Sequence, residues 1–459
     1  MSRPELPFDG ARAIARAVAA GEASAIEIVQ AHLERIERLE PRLNAFISRN
    51  PVAMDDARQG ITGALAGVPI TVKDLVLTRG MRTTAGSRTF GEGLPANQDA
   101  PVIRRLRRAG AIILGKTNLH ELAMGVTTEN EHFGPSRNPW DPSRIPGGSS
   151  GGSAVAVAAG LGVASVGTDT RGSIRIPAAC CGVTGFKPTF GLIRTEGVVP
   201  LAPTLDHLGP LTRSVEDAAL LAGVMSGWPR RGTRWLQVVD DGTASGLRLG
   251  ICDWFFTDID AAIDGPVRDA LGRFERGGSR LVPVTLRGLP EAHTASGVIT
   301  SAEALAFHLE RLDGNPVGIG PLVRSRLEKG RALTAVDYVH AEHARALVRA
   351  EFAAAFHRAD VLVAPTLPAA PPAIGESRMV RINGAEFPIL DAYTRLTAVA
   401  NMAGLPALSI PCGFTPDGMP VGLQLIAAPN REDLVLAAGA WLQRETDWHT
   451  RQPFSDSAI

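Results

Sequence analysis

Apolar residues recur every three or four positions near the start of the chain, from Ile26 to Ile36. This spacing places them on one face of a helix. Ser24 and Glu27 stand in front of most of this run at the spacing of a capping box, which marks a helix N-terminus. We therefore expect the first sixty residues to be helical. We expect this helix to end at Pro41, because proline inside a helix removes a hydrogen bond.

From Ala64 onward, short apolar runs alternate with helical stretches. The runs typical of buried strands are 68–72, 111–114, 163–166, 247–252 and 361–364. The helical stretches between them include 101–108 and 153–161. This alternation predicts an α/β fold in which helices cover both faces of a largely parallel sheet. We expect residues 228–247 to form a surface insertion and the proline-rich segment 365–372 to be a loop.

Composition narrows the class of protein. Of 459 residues, 45% are hydrophobic, which suits a well-buried enzyme rather than a disordered chain. Lys+Arg and Asp+Glu both number 47, so the chain lacks the excess of basic residues that is typical of nucleic-acid-binding proteins. The 4 cysteines are too few for a disulfide scaffold, and no run of roughly 18 apolar residues predicts a membrane helix. We expect a cytoplasmic protein without a signal peptide, a nucleic-acid partner or a membrane partner.

Three segments carry candidate chemistry. An apolar strand ends in Lys73, and two glycine- and serine-rich stretches, 147–153 and 167–175, contain Ser149 and Ser173. A serine hydroxyl needs a base before it can act as a nucleophile. A buried lysine can supply that base, since burial disfavours its charged form and lowers its pKa. Lysine occurs at only four positions of this arginine-rich chain, so a lysine in an apolar strand indicates ammonium chemistry.

In these residues the chain resembles the amidase signature family, whose hydrolases use a Ser–cis-Ser–Lys triad. Position by position, the resemblance implies that Ser173 is the nucleophile, Ser149 the bridging cis-serine and Lys73 the base. It implies a single-domain α/β/α sandwich around a mixed, mostly parallel sheet that spans the whole chain. Its parts are an N-terminal helical segment (1–60), a signature core (65–217), a variable substrate-side region (225–355) and a C-terminal part of the core (360–445).

The resemblance also implies a hydrolase of carbonyl C–N bonds that forms an acyl-enzyme on Ser173. Amides and anilides are the expected substrates, while carbamates (urethanes), esters and urea-like compounds pass through the same tetrahedral oxyanion. The implied oxyanion donors are the main-chain N–H groups of Thr170, Arg171, Gly172 and Ser173. No metal or organic cofactor is expected. The expected partner is a small-molecule substrate, and the sequence leaves undecided whether the protein forms a homodimer.

Arg171 departs from the common family pattern, in which glycine occupies this position. Because arginine is penalised at positive φ, we expect an ordinary backbone conformation there. Two interpretations of its side chain are open. It lies near the pocket and selects carboxylates or other acceptor-rich substrates, or it is a structural arginine tied to an acid such as Asp169.

The walls of the substrate pocket are expected from three weakly matching stretches, 124–133, 294–311 and 378–393. Met124, Phe307 and Phe387 are apolar candidates for contact with a substrate. Each is also typical of a plain core residue.

Other motifs fit the sequence less well. Residues 147–151 match the G-x-S-x-G elbow of α/β-hydrolases, but no apolar strand precedes them. Residues 110–117 match the Walker pattern, but 111–114 is an apolar strand instead of a loop. His340 and His343 lack a third metal ligand and indicate a solvated helix face. For His207 we expect a structural role near the site.

A different setting for the same chemistry is the amidase subunit of a tRNA-dependent amidotransferase, which the resemblance also allows. That subunit usually carries a glycine- and tyrosine-rich middle segment, whereas this chain contains only 2 tyrosines. We therefore favour a stand-alone hydrolase.

Overall fold

Helices and strands alternate along most of the chain in the computed structural model, which describes residues 8–59, 61–91, 94–227 and 229–453. Its helices, numbered in chain order, are α1 (Ala11–Ala20), α2 (Ala25–Leu43), α3 (Ala53–Arg58), α4 (Arg88–Gly91), α5 (Pro101–Arg108), α6 (Gly151–Ala158), α7 (Arg175–Cys181), α8 (Val215–Ser226), α9 (Pro229–Asp241), α10 (Asp253–Phe256), α11 (Ala261–Arg276), α12 (Leu289–Gly314), α13 (Pro321–Lys329), α14 (Ala335–Ala355), α15 (Ile389–Ala403) and α16 (Glu432–Arg444). Its strands are β1 (Phe46–Arg49), β2 (Pro69–Lys73), β3 (Ile112–Thr117), β4 (Glu129–Asn130), β5 (Gly134–Pro135), β6 (Ala164–Asp169), β7 (Thr184–Lys187), β8 (His207–Thr212), β9 (Arg248–Ile251), β10 (Arg280–Pro283), β11 (Val361–Pro365), β12 (Met379–Ile382), β13 (Ala385–Pro388), β14 (Ala407–Phe414) and β15 (Pro420–Ala427).

One mixed sheet organises the fold. Within the described residues it contains 11 strands in the order β1-β3-β2-β6-β8-β7-β14-β15-β11-β9-β10. The predicted α/β class and the mixed sheet are therefore confirmed. Parallel pairing is found in two blocks, β3-β2-β6 and β11-β9-β10. The other neighbours are antiparallel, partly because a tight turn between β14 and β15 makes them a hairpin, so parallel pairs are fewer than the alternating pattern predicts.

Helices cover both faces of the sheet where it carries the candidate site. Successive side chains of a strand point to opposite faces. On β3, Ile112 and Leu114 pack into an apolar cluster with residues of α2 and α6. Ile113, between them, packs into another cluster with residues of α5 and α8. The strand is thus buried on both faces, which explains why its sequence is a continuous apolar run.

The N-terminal segment departs from the prediction in two places. Ser24 does open α2 with a capping box, but the helix runs through Pro41 to Leu43 before it ends at Asn44. In addition, Phe46–Arg49 forms β1, which pairs with the edge of the sheet through β3. A four-residue strand at an edge carries too short a pattern to be separated from the helices around it.

The predicted surface insertion at 228–247 is largely the helix α9, with residue 228 lying outside the described residues. Trp235 and Val239 of this helix are buried in the main apolar cluster. Helix α9 is therefore part of the core packing. None of the helices within the described ranges combines the length and the apolar character that a membrane crossing requires.

The topology brings the predicted site residues together. Strands β2 and β6 are parallel neighbours, with Val72 opposite Val166. Strand β2 ends at Lys73, and the loop that carries Ser173 begins where β6 ends. Because parallel neighbours end at the same edge of a sheet, the lysine and this loop meet there.

Candidate active site

Lys73 is fully buried at the end of β2, between two hydroxyl groups. Its Nζ lies 2.7 Å from Ser149 Oγ and 2.8 Å from Thr168 Oγ1. Burial lowers the pKa of Lys73 to about 7, although the charges of Asp169 and Asp206 act in the opposite direction. At neutral pH a substantial fraction of this amine is therefore uncharged and can accept a proton.

The other buried lysines show what distinguishes Lys73. Lys116 is also fully buried, but its Nζ forms an ion pair with Asp74 at 2.8 Å. The buried Lys187 donates hydrogen bonds to the carbonyl oxygens of Pro188 and Leu405. Both of these lysines have partners that serve a structural role. Lys116 also donates to the Thr83 hydroxyl, but Lys73 has no carboxylate or carbonyl partner among the described residues, and this identifies it as the candidate base.

Ser149 follows a cis peptide bond, Gly148–Ser149, and precedes the N-terminus of α6. This agrees with the cis-serine that the family resemblance implies. The main chain here is held on both sides: the carbonyl of Ser149 accepts from His120 N at 3.1 Å, and Ser150 N donates to the carbonyl of Ser173 at 3.2 Å. The second bond ties the two serine motifs to each other directly.

Ser173 lies in the loop between β6 and α7, and the Asp169 carboxylate organises that loop. Its Oδ1 accepts from Gly172 N at 2.8 Å, and its Oδ2 accepts from Ile174 N at 3.2 Å. Burial alone would raise the pKa of Asp169, but the adjacent Arg175 guanidinium holds it well below its usual range. The carboxylate therefore stays ionised and keeps the loop folded around Ser173.

The position before Ser173 requires glycine for two reasons. Gly172 has a φ of +125°, a conformation that other residues rarely adopt. A Cβ atom built there would lie 2.2 Å from Thr397 Oγ1. That hydroxyl donates to the carbonyl of Arg171 at 2.6 Å, so it cannot move away freely. Arg171 itself does not have a positive φ, as predicted.

Three of the four predicted oxyanion donors are available. Among the hydrogen bonds of the described residues, none uses the N–H groups of Thr170, Arg171 or Ser173. The exception is Gly172, whose N–H already donates to Asp169, so its place among the predicted donors is corrected. The Thr170 side chain is fixed as well, because its hydroxyl donates to Asp206 at 2.5 Å.

Arg175 is a buried arginine that links several elements near the site, and no role was predicted for it from the sequence. Its Nε and Nη2 donate to the two oxygens of Asp169 at 3.0 and 2.9 Å. It also donates to Asn401 Oδ1 at 2.6 Å and to Gln424 Oε1 at 2.5 Å. Asn401 and Gln424 lie in the segment expected to be the C-terminal part of the core (360–445), and no role was predicted for either of them. Through Asn401 in α15 and Gln424 in β15, Arg175 connects the loop that carries Ser173 to these two elements.

A cavity of about 380 Å³ opens above Ser173. All three stretches predicted as walls contribute to it: residues 124–126, several residues between Thr294 and Ser301, and Leu390 with Asp391. Met124 lines the cavity as predicted, whereas Phe307 and Phe387 do not. Helix α13 adds Arg326 and Lys329, neither of which was predicted from the sequence.

Arg171 lines this cavity and forms no ion pair with Asp169, although the charge of another acid at the cavity, Asp391, acts on it. The two oxygens of Asp169 are bound by Arg175, by Asn401 and by loop amides instead. The Nη2 of Arg171 lies 3.3 Å from His293 Nε2, on α12.

His207 is buried beside the site, where its Nδ1 lies 2.6 Å from the carbonyl oxygen of Leu205. Burial, reinforced by the charge of Lys187, holds its pKa well below the usual range. A neutral ring with an engaged Nδ1 agrees with the predicted structural role. His340 and His343 are exposed on α14, as predicted.

The structure around the G-x-S-x-G and Walker matches differs from the structure that each of these motifs requires. Residues 139–146, which precede the G-x-S-x-G match, form turns and one isolated bridge instead of a strand. In the Walker match, Lys116 and Thr117 belong to strand β3 and not to a loop.

The fold and this buried Lys–Ser arrangement define an amidase-type hydrolase, and the comparison with known proteins agrees. The Amidase family model matches residues 27–436, so the chain belongs to the amidase signature family. It is an enzyme that cleaves amide C–N bonds.

Individual relatives span nearly the whole chain. A glutamyl-tRNA(Gln) amidotransferase subunit from Methylococcus capsulatus is 38% identical over 473 residues, covering 94% of this chain and 96% of that protein. A solved structure described as a vestigial protein complex, bearing on the origins of an s-triazine catabolic enzyme, is 37% identical with a TM-score of 0.89. It covers 95% of this chain and 98% of that one. The 6-aminohexanoate cyclic dimer hydrolase with its substrate is 30% identical with a TM-score of 0.88, over 98% of this chain and 99% of that one.

Proposed function

We propose that this enzyme hydrolyses a carbonyl C–N bond through an acyl-enzyme on Ser173, with Lys73 as the base and Ser149 as the proton relay. The observation that carries this proposal is the buried Lys73 amine between two hydroxyls, with a pKa lowered to about 7 by burial. A neutral amine has two N–H groups and one lone pair. One N–H can donate to Thr168, which leaves the lone pair for the Ser149 proton.

The reaction then proceeds in two stages. Lys73 takes the proton of Ser149 while Ser149 takes the proton of Ser173, and the Ser173 oxygen forms a bond to the carbonyl carbon. The relay returns a proton to the leaving nitrogen as the C–N bond breaks, because an amine is too basic to leave as an anion. Water then gives a proton to the relay and attacks the acyl-enzyme, the bond between the carbonyl carbon and the Ser173 oxygen breaks, and the relay returns that proton to Ser173 as the acid is released.

The main-chain N–H groups of Thr170, Arg171 and Ser173 are the proposed donors to the developing oxyanion. They surround the nucleophile on a loop that Asp169 and Thr397 hold in place. Such a donor typically contributes about 2.7–4 kcal/mol to stabilisation of the transition state.

Mass spectrometry after treatment with a neutral fluorophosphonate tests this assignment without knowledge of the substrate. We expect one adduct, mapped to Ser173, in the wild-type protein and none in Ser173→Ala. Lys73→Ala should react far more slowly, whereas Ser153→Ala, which changes another serine of the first motif, should still be labelled. An adduct on Ser149 in place of Ser173 would contradict the assignment.

A second setting for this chemistry is the amidase subunit of a tRNA-dependent amidotransferase. The 38% identity to a glutamyl-tRNA(Gln) amidotransferase subunit, over nearly the full length of both chains, favours it over the stand-alone enzyme that the low tyrosine content suggests. Glutamine hydrolysis that appears only after addition of amidotransferase partner subunits would decide for this setting. Turnover of amides by the isolated chain would decide for the stand-alone enzyme.

Anilides, carbamates, urea-like compounds and esters belong to the proposal as further substrates, because each would form the same oxyanion. We also propose a cytoplasmic location, which the four buried, unpaired cysteines support. The continuous central sheet supports a single domain.

A further inference from the structure

The lining of the active-site cavity carries an excess of positive charge. Among the described residues that line it, Arg171, Arg326 and Lys329 are cationic, and Asp391 is the single carboxylate. Lys73 lies below the cavity and is partly neutral, so it changes this balance little. A concave site lined mainly by one sign of charge attracts ligands of the opposite sign.

Arg171 is the cation of this lining that lies nearest to Ser173 along the chain. Its Nε is buried and has no hydrogen-bond partner. Burial lowers the pKa of Arg171 while the charge of Asp391 acts in the opposite direction, but no ion pair between described residues includes Arg171. The neighbouring His293 does not act as a counterion. Burial, together with the Arg171 charge, lowers the pKa of His293 to about 3, so that ring is neutral. Arg326 differs, since its guanidinium donates to the carbonyl oxygen of Met124.

The main chain of Arg171 is held close to the reacting serine. It precedes Ser173 by two residues, and Thr397 holds its carbonyl oxygen at 2.6 Å. Across the cavity its guanidinium faces Gly297 of α12, where a Cβ atom would still lie 3.9 Å from Nη1. The absence of a side chain at Gly297 leaves space beside the guanidinium. A planar group with unused donors beside open space matches the geometry of a carboxylate.

We propose that Arg171 forms a subsite for a carboxylate carried by the substrate, so that the enzyme selects amides of molecules that also bear a negative charge. This inference rests on the proposed acyl-enzyme chemistry at Ser173 for its meaning, but the binding of the carboxylate can be measured without that chemistry. The arginine would orient the substrate and would not take part in proton transfer.

Calorimetric titration with glutarate and with glutaramide, its neutral diamide, tests the subsite. We expect the wild-type protein to bind glutarate more tightly. In Arg171→Gln the preference for glutarate should fall by about tenfold to a hundredfold, the range for a charge-assisted hydrogen bond. Arg171→Lys should retain part of it. Arg324→Gln removes the same charge from α13 outside the cavity lining and should retain all of it.

Equal affinity of the wild-type protein for the two compounds would overturn the subsite, and so would an unchanged preference in Arg171→Gln. Fluorophosphonate labelling of the same samples separates the two proposals. If Ser173 is not labelled but Arg171→Gln loses the glutarate preference, the proposed function fails and the anion subsite stands. If Ser173 is labelled but the preference is unchanged, only the subsite fails.

Discussion

Two regions of the active site are built differently. The floor, which comprises the proposed catalytic residues Lys73, Ser149 and Ser173 with the Asp169–Arg175 pair, is buried, and most of its polar groups contact one another. The cavity wall, formed by residues of α12, α13 and α15 with Met124, is partly exposed and contains cations with few partners. In the floor, neighbouring polar groups hold one another in place, so a change to one of them is expected to disturb the others. The wall lacks such constraints, and this is where substrate choice can change without loss of the chemistry.

The largest expected effect is at the nucleophile. Ser173→Ala should lower kcat by about 10⁴-fold or more, because removal of a covalent nucleophile leaves only binding and oxyanion stabilisation. Lys73→Met should come close to the same loss, and the double variant should lose little more, since the groups act as one unit. Additive losses in steady-state kinetics would show that the lysine and the serine act independently.

Gly172→Ala should disrupt the loop of the floor. Alanine is disfavoured at the positive φ of this position, and its Cβ atom would clash with the Thr397 hydroxyl. We therefore expect at least about a hundredfold loss of kcat/KM, as for misplacement of a catalytic group. Gly191 is the matched control, because its φ is +77° but nothing lies within 4 Å of the added Cβ. Gly191→Ala should cost only about 1 kcal/mol of stability and leave the kinetics unchanged. Similar activity of the two variants would contradict the role given to Thr397.

The buried ion pair should matter to the free energy of unfolding. Arg175→Met leaves the Asp169 carboxylate buried without its partner, so we expect a loss of about 3–5 kcal/mol in urea unfolding. Arg268→Met removes a pair inside α11 between an exposed arginine and the half-buried Asp264, and it should cost about 0.5 kcal/mol. Equal losses would show that burial does not set the difference between these pairs.

The smallest effects are expected in the wall. Met124→Ala removes apolar surface from the cavity and should raise KM by about tenfold for a substrate with an apolar group. Phe307 is exposed and does not line the cavity, so Phe307→Ala should change KM by less than about twofold. A larger effect of Phe307→Ala on KM would indicate that the substrate binds near the exposed part of α12 and not in the cavity.

The floor was largely predictable from sequence because its residues stand in short, ordered motifs. Lys73, Ser149 and Ser173 could be placed from the chain alone. The role of Thr397 and the contacts of Arg175 with Asn401 and Gln424 could not, because these contacts join residues more than two hundred positions apart. The wall stretches were foreseen as regions, but which side chains face the cavity depends on helix rotation. Phe307 and Arg326 show this, since the first points away from the cavity and the second toward it.

The same limit applied to the fold. Alternating strands and helices predicted the α/β class, and the family resemblance added the mixed sheet. The short edge strand β1 and the packing of α9 depend on contacts with distant segments. Local patterns do not encode such contacts.

The central claim is that neutral Lys73 activates Ser173, and the pH dependence of acylation tests it most directly. Burial lowers the pKa of Lys73 to about 7, so the amine loses its proton as pH rises through that value. The rate of Ser173 labelling by a neutral fluorophosphonate should therefore rise about tenfold per pH unit below pH 7 and level off above it. Lys73→Ala should be slow at every pH, with no inflection near 7. A wild-type rate that is flat between about pH 5.5 and 8, or the same inflection in Lys73→Ala, would contradict the account.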